Sequence, residues 1–169
     1  MSMERLFTLT AADLMHRPVH TIRDDQSVHE AAAVLIEHGI QGAPVVNRFG
    51  KVVGVLSATD IARYERDRHP DVVRESDYYR LAETGRAQDV EWEKGFHIEG
   101  TGSTKVREVM TPKVYSVPED AHIGTVLGTL VDNHIHRVVV LAKENGKLQG
   151  VVSATDIMRA LLSEWIRRC

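Results

Sequence analysis

The sequence predicts a mixed α/β (α+β) protein built from two tandem β-α-β-β-α repeats, packed through their sheets about a pseudo-twofold axis. The first observation behind this is that the chain matches itself at an offset of 95. Asp13-Leu14-Met15 falls on Glu108-Val109-Met110, and Val19-His20-Thr21-Ile22 on Val114-Tyr115-Ser116-Val117. Asp25-Gln26-Ser27-Val28 falls on Asp120-Ala121-His122-Ile123, and Val45-Val46 on Val140-Leu141. The second is that, after one extra residue near Lys143-Glu144-Asn145, residues 50–63 meet residues 146–159 with 10 of 14 positions identical. Self-similarity at a fixed spacing marks a duplicated structural unit. The third is the common order of β-branched runs and helical periodicity in the two copies. Each sheet is too small to be comfortable alone, so the two are expected to cover one another.

The elements follow in order. Residues 19–22 form a short extended segment, ended by a turn at Arg23-Asp24-Asp25. Ser27 caps a helix whose apolar positions Val28, Ala31, Ala32, Leu35 and Ile36 recur at helical spacing, and Gly39 stops it. Residues 43–46 and 52–56 are β-branched runs joined by a turn at residues 47–50, the pattern of a hairpin. A second helix starts at Ser57 or Ala58. The second copy repeats this plan from an extended segment at residues 114–117. Repeat 1 is assigned to residues 8–64 and repeat 2 to residues 105–169, with a connector over residues 65–104. That connector holds 16 charged residues in 40, which points to a solvated insertion. It also holds Tyr78, Tyr79, Trp92 and Phe96, four of the nine aromatics, which a purely flexible linker does not need. A helix over residues 71–84, followed by an irregular strap ending in Gly100-Thr101-Gly102-Ser103, is expected; a mobile loop with incidental aromatics is the alternative.

Composition narrows the function classes. The 169 residues are 43% hydrophobic and 27% charged, the profile of a soluble globular protein. A net charge of −3, from 21 basic against 24 acidic residues, argues against a nucleic-acid binder, which needs a basic face. No apolar run approaches the roughly 18–20 residues that cross a bilayer, and residues 1–14 lack the pattern of a secretory signal. The only cysteine, Cys169, permits neither an intramolecular disulfide nor a cysteine metal framework. A cytoplasmic location without a membrane partner is expected.

The near-identical segment carries the chemistry. Ser57-Ala58-Thr59-Asp60 and Ser153-Ala154-Thr155-Asp156 fit a capping box, with Ser at the cap and an acid three residues on. His134-x-His136, read as strand residues sharing one face, invites a metal, but no third ligand is spaced to join them and no metal is expected. No histidine pairs with Cys169 or a serine as a nucleophilic dyad, and no Walker-type loop is present, so no enzyme activity is expected.

Two β-α-β-β-α copies, each closing in Gly-Val-(Leu/Val)-Ser-Ala-Thr-Asp-Ile, resemble a tandem pair of cystathionine-β-synthase (CBS) domains, the unit called a Bateman module. Asp13-Leu14-Met15, Glu108-Val109-Met110-Thr111-Pro112, Ala43-Pro44-Val45-Val46 and His136-Arg137-Val138-Val139-Val140 fit the same pattern. The resemblance implies a non-catalytic regulatory module that binds an adenosine-containing ligand in clefts between the repeats: AMP, ADP, ATP or S-adenosylmethionine, with no cofactor required. The positions it marks are Thr21, Ile22, Gly42, Ala43, Pro44, Ser57, Thr59 and Asp60 in repeat 1, and Ser116, Val117, His136, Arg137, Val138, Ser153, Thr155 and Asp156 in repeat 2.

In that setting the capping geometry has a second use. Gly54 and Gly150 let a ligand approach the backbone, and the helix start offers N–H groups. An acceptor-only Asp carboxylate takes both protons of a ribose diol, and Thr59 and Thr155 reach phosphate or sugar. The resemblance also implies that each cleft joins the Asp of one repeat to the pair entering the hairpin of the other. Asp60 then has His136 and Arg137 for phosphates, whereas Asp156 has only Gln41 and Gly42. A homodimer is expected through exposed helix faces (Val28, Ala32 and Leu35; Ile123, Leu127 and Leu130), with a regulated protein partner on another chain. The competing reading is a scaffold module whose clefts are vestigial.

Overall fold

The computed structural model describes residues 8–68 and 103–166. The expected helix over 71–84, the strap apart from Ser103, and Cys169 lie outside the described residues. Repeat 1 contains β1 (Ile22–Arg23), α2 (Val28–Glu37), β2 (Gly42–Val46), β3 (Val52–Ser57) and α3 (Ala58–Arg68), preceded by the one-turn helix α1 (Ala11–Leu14). Repeat 2 contains β4 (Ser116–Pro118), α5 (Ile123–Asp132), β5 (Arg137–Leu141), β6 (Leu148–Ser153) and α6 (Ala154–Ile166), preceded by the one-turn helix α4 (Val106–Val109). The architecture is mixed α/β with two three-stranded sheets, ordered β1-β2-β3 and β4-β5-β6. In each, the first strand runs parallel to the second and the hairpin is antiparallel. The opening strands are shorter than expected, because parallel pairing begins only at Ile22 with Val45 and at Ser116 with Val139.

Local chemistry explains the boundaries. Ser27 Oγ accepts from Glu30 N–H at 3.2 Å while the Glu30 carboxylate accepts from Ser27 N–H at 2.8 Å, closing the capping box of α2. The chain leaves α2 through Gly39 at φ +60°, where the absent Cβ relieves the left-handed clash. The matching residue after α5 is His134, at φ +53°. His134 therefore precedes β5 rather than lying on it, and His134 and His136 do not share a strand face as the metal reading required. Among the described residues, no three His, Cys, Asp or Glu side chains gather as a metal site. No helix of the described residues is long and apolar enough to cross a membrane.

The connection between the repeats lies in their lead-in segments, which cross over. Residues 9–12 dock on repeat 2 through Ile123 N–H to Leu9 O (2.8 Å), Ala11 N–H to Ala121 O (2.8 Å) and Ala12 N–H to Glu119 O (2.9 Å). Residues 104–107 dock on repeat 1 through Val28 N–H to Thr104 O (3.0 Å), Val106 N–H to Gln26 O (2.9 Å) and Arg107 N–H to Asp24 O (3.1 Å). All six bonds obey the sequence offset of 95. Ala11 and Leu14 consequently belong to the core built from Val117, Val126, Val138, Val140 and Val152. Val106 belongs to the core built from Ile22, Val28, Val45, Leu56 and Ile61.

The same cores correct the expected dimer face. Val28, Ala32, Leu35, Ile123 and Leu130 are all buried within their own repeats; of the six positions only Leu127 is exposed. Helical spacing showed that these residues share a face, and that face meets the repeat's own sheet. Among the described residues, the other exposed large apolar side chains stand elsewhere: Ile36, Phe49, Val131, and the run Met158, Leu161, Leu162, Trp165 and Ile166 along α6.

Candidate functional site

Both α3 and α6 begin at the end of a hairpin strand, and each starts with a reciprocal capping box. Ser57 donates its N–H (2.9 Å) and hydroxyl (2.6 Å) to Asp60 Oδ2, and its Oγ accepts from Asp60 N–H at 3.2 Å. Ser153 donates its N–H (2.8 Å) and hydroxyl (2.6 Å) to Asp156 Oδ2, and Asp156 N–H returns the bond at 3.3 Å. The capping function is therefore real in both copies, yet it occupies only Oδ2. Each Oδ1 meets a side chain from the crossing lead-in. Thr111 donates its hydroxyl to Asp60 Oδ1 at 3.0 Å, and His16 Nε2 lies 2.5 Å from Asp156 Oδ1. Arg63 and Arg159 stand further off, 3.9 and 3.5 Å from the same oxygens. The two carboxylates are largely enclosed, with side-chain exposures of 10% for Asp60 and 7% for Asp156.

His16 and Thr111 were not singled out from sequence, although they are equivalent at the offset of 95. The signal lay in the lead-in strings: His16 directly follows Asp13-Leu14-Met15, and Thr111 stands within Glu108-Val109-Met110-Thr111-Pro112 without a role assigned to it. Their delivery is a backbone matter. Thr111 and Val55 exchange two N–H···O bonds of 2.9 Å, and His16 donates its N–H to Val151 O at 3.0 Å. This approach also corrects the role given to two glycines. A Cβ on Gly54 would stand 2.7 Å from Met110 Sδ and 2.8 Å from Thr111 O, and a Cβ on Gly150 would run into Met15. The close approach at Gly54 and Gly150 is made by the crossing lead-in, not by an open path for a ligand.

The other marked positions divide by burial. Ile22, Ala43, Pro44, Val117 and Val138 are buried and build the strands. Thr21, Thr59, Ser116, Thr155, His136 and Arg137 are exposed. Strand register sets Gly42 beside Ser57 and Arg137 beside Ser153. The backbone thus gathers Gly42, Ser57 and Asp60 at one sheet corner and Arg137, Ser153 and Asp156 at the other. No hydrogen bond or ion pair joins Arg137 to Asp60, and the Arg137 guanidinium engages no partner among the described residues.

A duplicated β-α-β-β-α unit with a crossed lead-in and a capped Asp in each copy matches a known family. The CBS domain family model matches residues 11–67 and 106–163. The chain is a tandem pair of CBS domains. An uncharacterized protein of Methanocaldococcus jannaschii is 29% identical over 154 residues, covering 89% of each chain. Among solved structures, CBSX2 in complex with AMP has a TM-score of 0.65 at 22% identity, covering 91% of this chain and 96% of its own. The CBS domain pair of protein MJ0100, in complex with 5-methylthioadenosine and S-adenosyl-L-methionine, has a TM-score of 0.64 at 22% identity, covering 93% and 98%.

Burial opposes the charge of Asp156, but the bonds from Ser153 and the His16 ring outweigh it and hold the carboxyl below the ordinary 3.8. With the carboxylate ionised and acceptor-only, His16 Nε2 is the donor in that contact.

Proposed function

We propose that this CBS pair is a non-catalytic regulatory module that binds an adenosine-containing ligand at its two helix starts and acts on a separate protein partner. The observation that carries the reading is the pair of enclosed carboxylates at the starts of α3 and α6. In each, the cap occupies Oδ2 and Oδ1 meets a single side chain of the crossing lead-in, Thr111 or His16. A carboxylate so placed accepts the hydroxyl protons of a ribose diol. Ligands containing adenosine in CBSX2 and in protein MJ0100 support the same class here.

The site residues proposed are those marked by the sequence. Asp60 and Asp156 take the sugar, with Ser57, Thr59, Ser153 and Thr155 at the helix starts. Thr21 and Gly42 line the approach in repeat 1 and Ser116 in repeat 2, while the buried Ile22, Ala43, Pro44, Val117 and Val138 contribute through the backbone of the strands behind it. His136 and Arg137 meet phosphate in the cleft that uses Asp60. Arg137 suits that role because its planar donors match phosphate oxygens and no partner in the described residues competes for them. A ligand bound only by the folded state raises the melting temperature by mass action. Thermal-shift titration with AMP, ADP, ATP, S-adenosylmethionine and NAD should therefore give a saturable rise for at least one adenosyl compound. No rise with any of them favours the scaffold reading.

We further propose a homodimer, on a face different from the one the sequence suggested. Met158, Leu161, Leu162, Trp165 and Ile166 follow i, i+3, i+4, i+7, i+8 spacing along α6 and are all exposed. Ile157 is buried on the opposite stripe, and Ala160 packs against the core there. A second apolar stripe facing solvent suits a closed, isologous contact with a copy of itself.

A further inference from the structure

The acceptor capacity of the two carboxylates is nearly used up, and by different donors. An ionised carboxylate has about four lone-pair sites. At Asp60, Ser57 fills two sites on Oδ2 and Thr111 one on Oδ1. At Asp156, Ser153 fills two and His16 one. A ribose diol brings two donors to the single site left, so the lead-in donor must give way in either cleft. The two donors differ in how they can yield. The Thr111 hydroxyl has one proton and two lone pairs, so it can turn and accept from the sugar while staying in place. The His16 ring donates from Nε2 in a short contact to a carboxylate that Arg159 also approaches at 3.5 Å; to accept there it would have to move its proton to Nδ1 and set a bare lone pair against the carboxylate. It must leave altogether, and its side chain is 67% exposed, so its way out is solvent.

We infer that His16 and Thr111 determine which carboxylate a ribose diol reaches: Thr111 leaves the Asp60 cleft competent, and His16 plugs Asp156. The inference rests on the adenosyl-ligand reading above and adds to it an asymmetry independent of phosphate charge. His16 acts here as a built-in competitor for the diol, held in register by its backbone bond to Val151.

The test is calorimetric titration of the full chain with adenosine and with 2′,3′-dideoxyadenosine, which lacks the diol. Wild-type protein should bind one adenosine per chain, and Asp60→Asn should abolish or strongly weaken it. His16→Ala should add a second adenosine, bound about tenfold to a hundredfold tighter than at the same cleft in wild type, the range for releasing a hydrogen bond to a charged group. Dideoxyadenosine should gain nothing, and Asp156→Asn in the His16→Ala background should remove the gain. His16→Phe, which keeps a ring but no nitrogen donor, should behave like His16→Ala and guards against a folding defect in either variant. Two equal sites in wild type, or one site in both His16 variants, would overturn the role of His16 while leaving the ligand reading intact. Adenosine binding indifferent to both Asp60→Asn and Asp156→Asn, or absent from every variant, would instead sink the ligand reading.

Discussion

Because Oδ2 of Asp60 and of Asp156 closes a helix cap while Oδ1 faces a crossing side chain, substitution at either residue should alter stability and, on the proposed ligand reading, binding, and the two effects must be read separately. The stability effect has a definite pH signature. The Asp156 carboxyl titrates below its ordinary 3.8 in the folded protein. Its contribution is therefore complete above that value and is lost as pH falls through the lower, folded value. Asp13 and Glu30, lowered by bonds from Thr10 and Ser27, act in the same direction. Urea denaturation of Asp156→Asn between about pH 2 and 6 should show a shallower acid limb than wild type below about pH 4. Parallel curves would mean that the cap and His16 do not stabilise the charged form. On the proposed reading, Arg137 acts in binding and not in stability. Arg137→Ala should weaken AMP by about 1.5–3 kcal/mol, the range for hydrogen bonds to charged groups, and leave adenosine nearly unchanged; equal losses for both would remove its phosphate role. The Ser-x-x-Asp pairs were legible at this scale because cap spacing is local. His16 and Thr111 were not, since their contacts span 140 and 51 residues.

At the scale of elements, helices and hairpins were legible from local signals: Ser27 before an apolar stripe, Gly39 after it, and the Asn47–Gly50 turn. Their bounds shifted only where pairing with another strand decides them, as at Ile22 and Ser116. The crossing of the lead-ins was invisible for the opposite reason. Leu14 and Val109 are apolar on either packing, and sequence periodicity does not say whose core they enter. The glycines record that crossing. Gly54→Ala should cost about 1–3 kcal/mol, because Thr111 O cannot retreat without breaking its pairing with Val55. A melting temperature equal to wild type would show that the lead-in is not held there. His134→Gly should instead stabilise by about 0.5–1 kcal/mol. Relief of a left-handed side chain, about 1–2 kcal/mol, exceeds the added freedom of glycine in the unfolded chain, about 0.4–1 kcal/mol. Chemical denaturation will show whether the midpoint rises or falls.

For the whole molecule, the duplicated CBS architecture was legible because the repeat is written into the chain at a nearly constant offset. The assembly face was not, since an amphipathic stripe reads the same whether it meets its own sheet or a partner. α6 carries a stripe on each side, and the solvent side ends in Trp165, 70% exposed, beside Leu162, 58% exposed. Leu162→Glu or Trp165→Glu should convert a dimer to a monomer by light scattering, with the melting transition retained. A monomeric wild-type protein at micromolar concentration would contradict that face.

We propose above that an enclosed carboxylate of the CBS pair recognises the sugar of an adenosyl ligand. The decisive measurement is calorimetric titration of AMP into wild type and Asp60→Asn at neutral pH, with the folded fraction of each fixed by circular dichroism. An amide keeps one acceptor oxygen and adds a donor, so the variant should lose about 1–3 kcal/mol of AMP affinity. Unchanged AMP affinity in Asp60→Asn would show that Asp60 caps α3 and does nothing more.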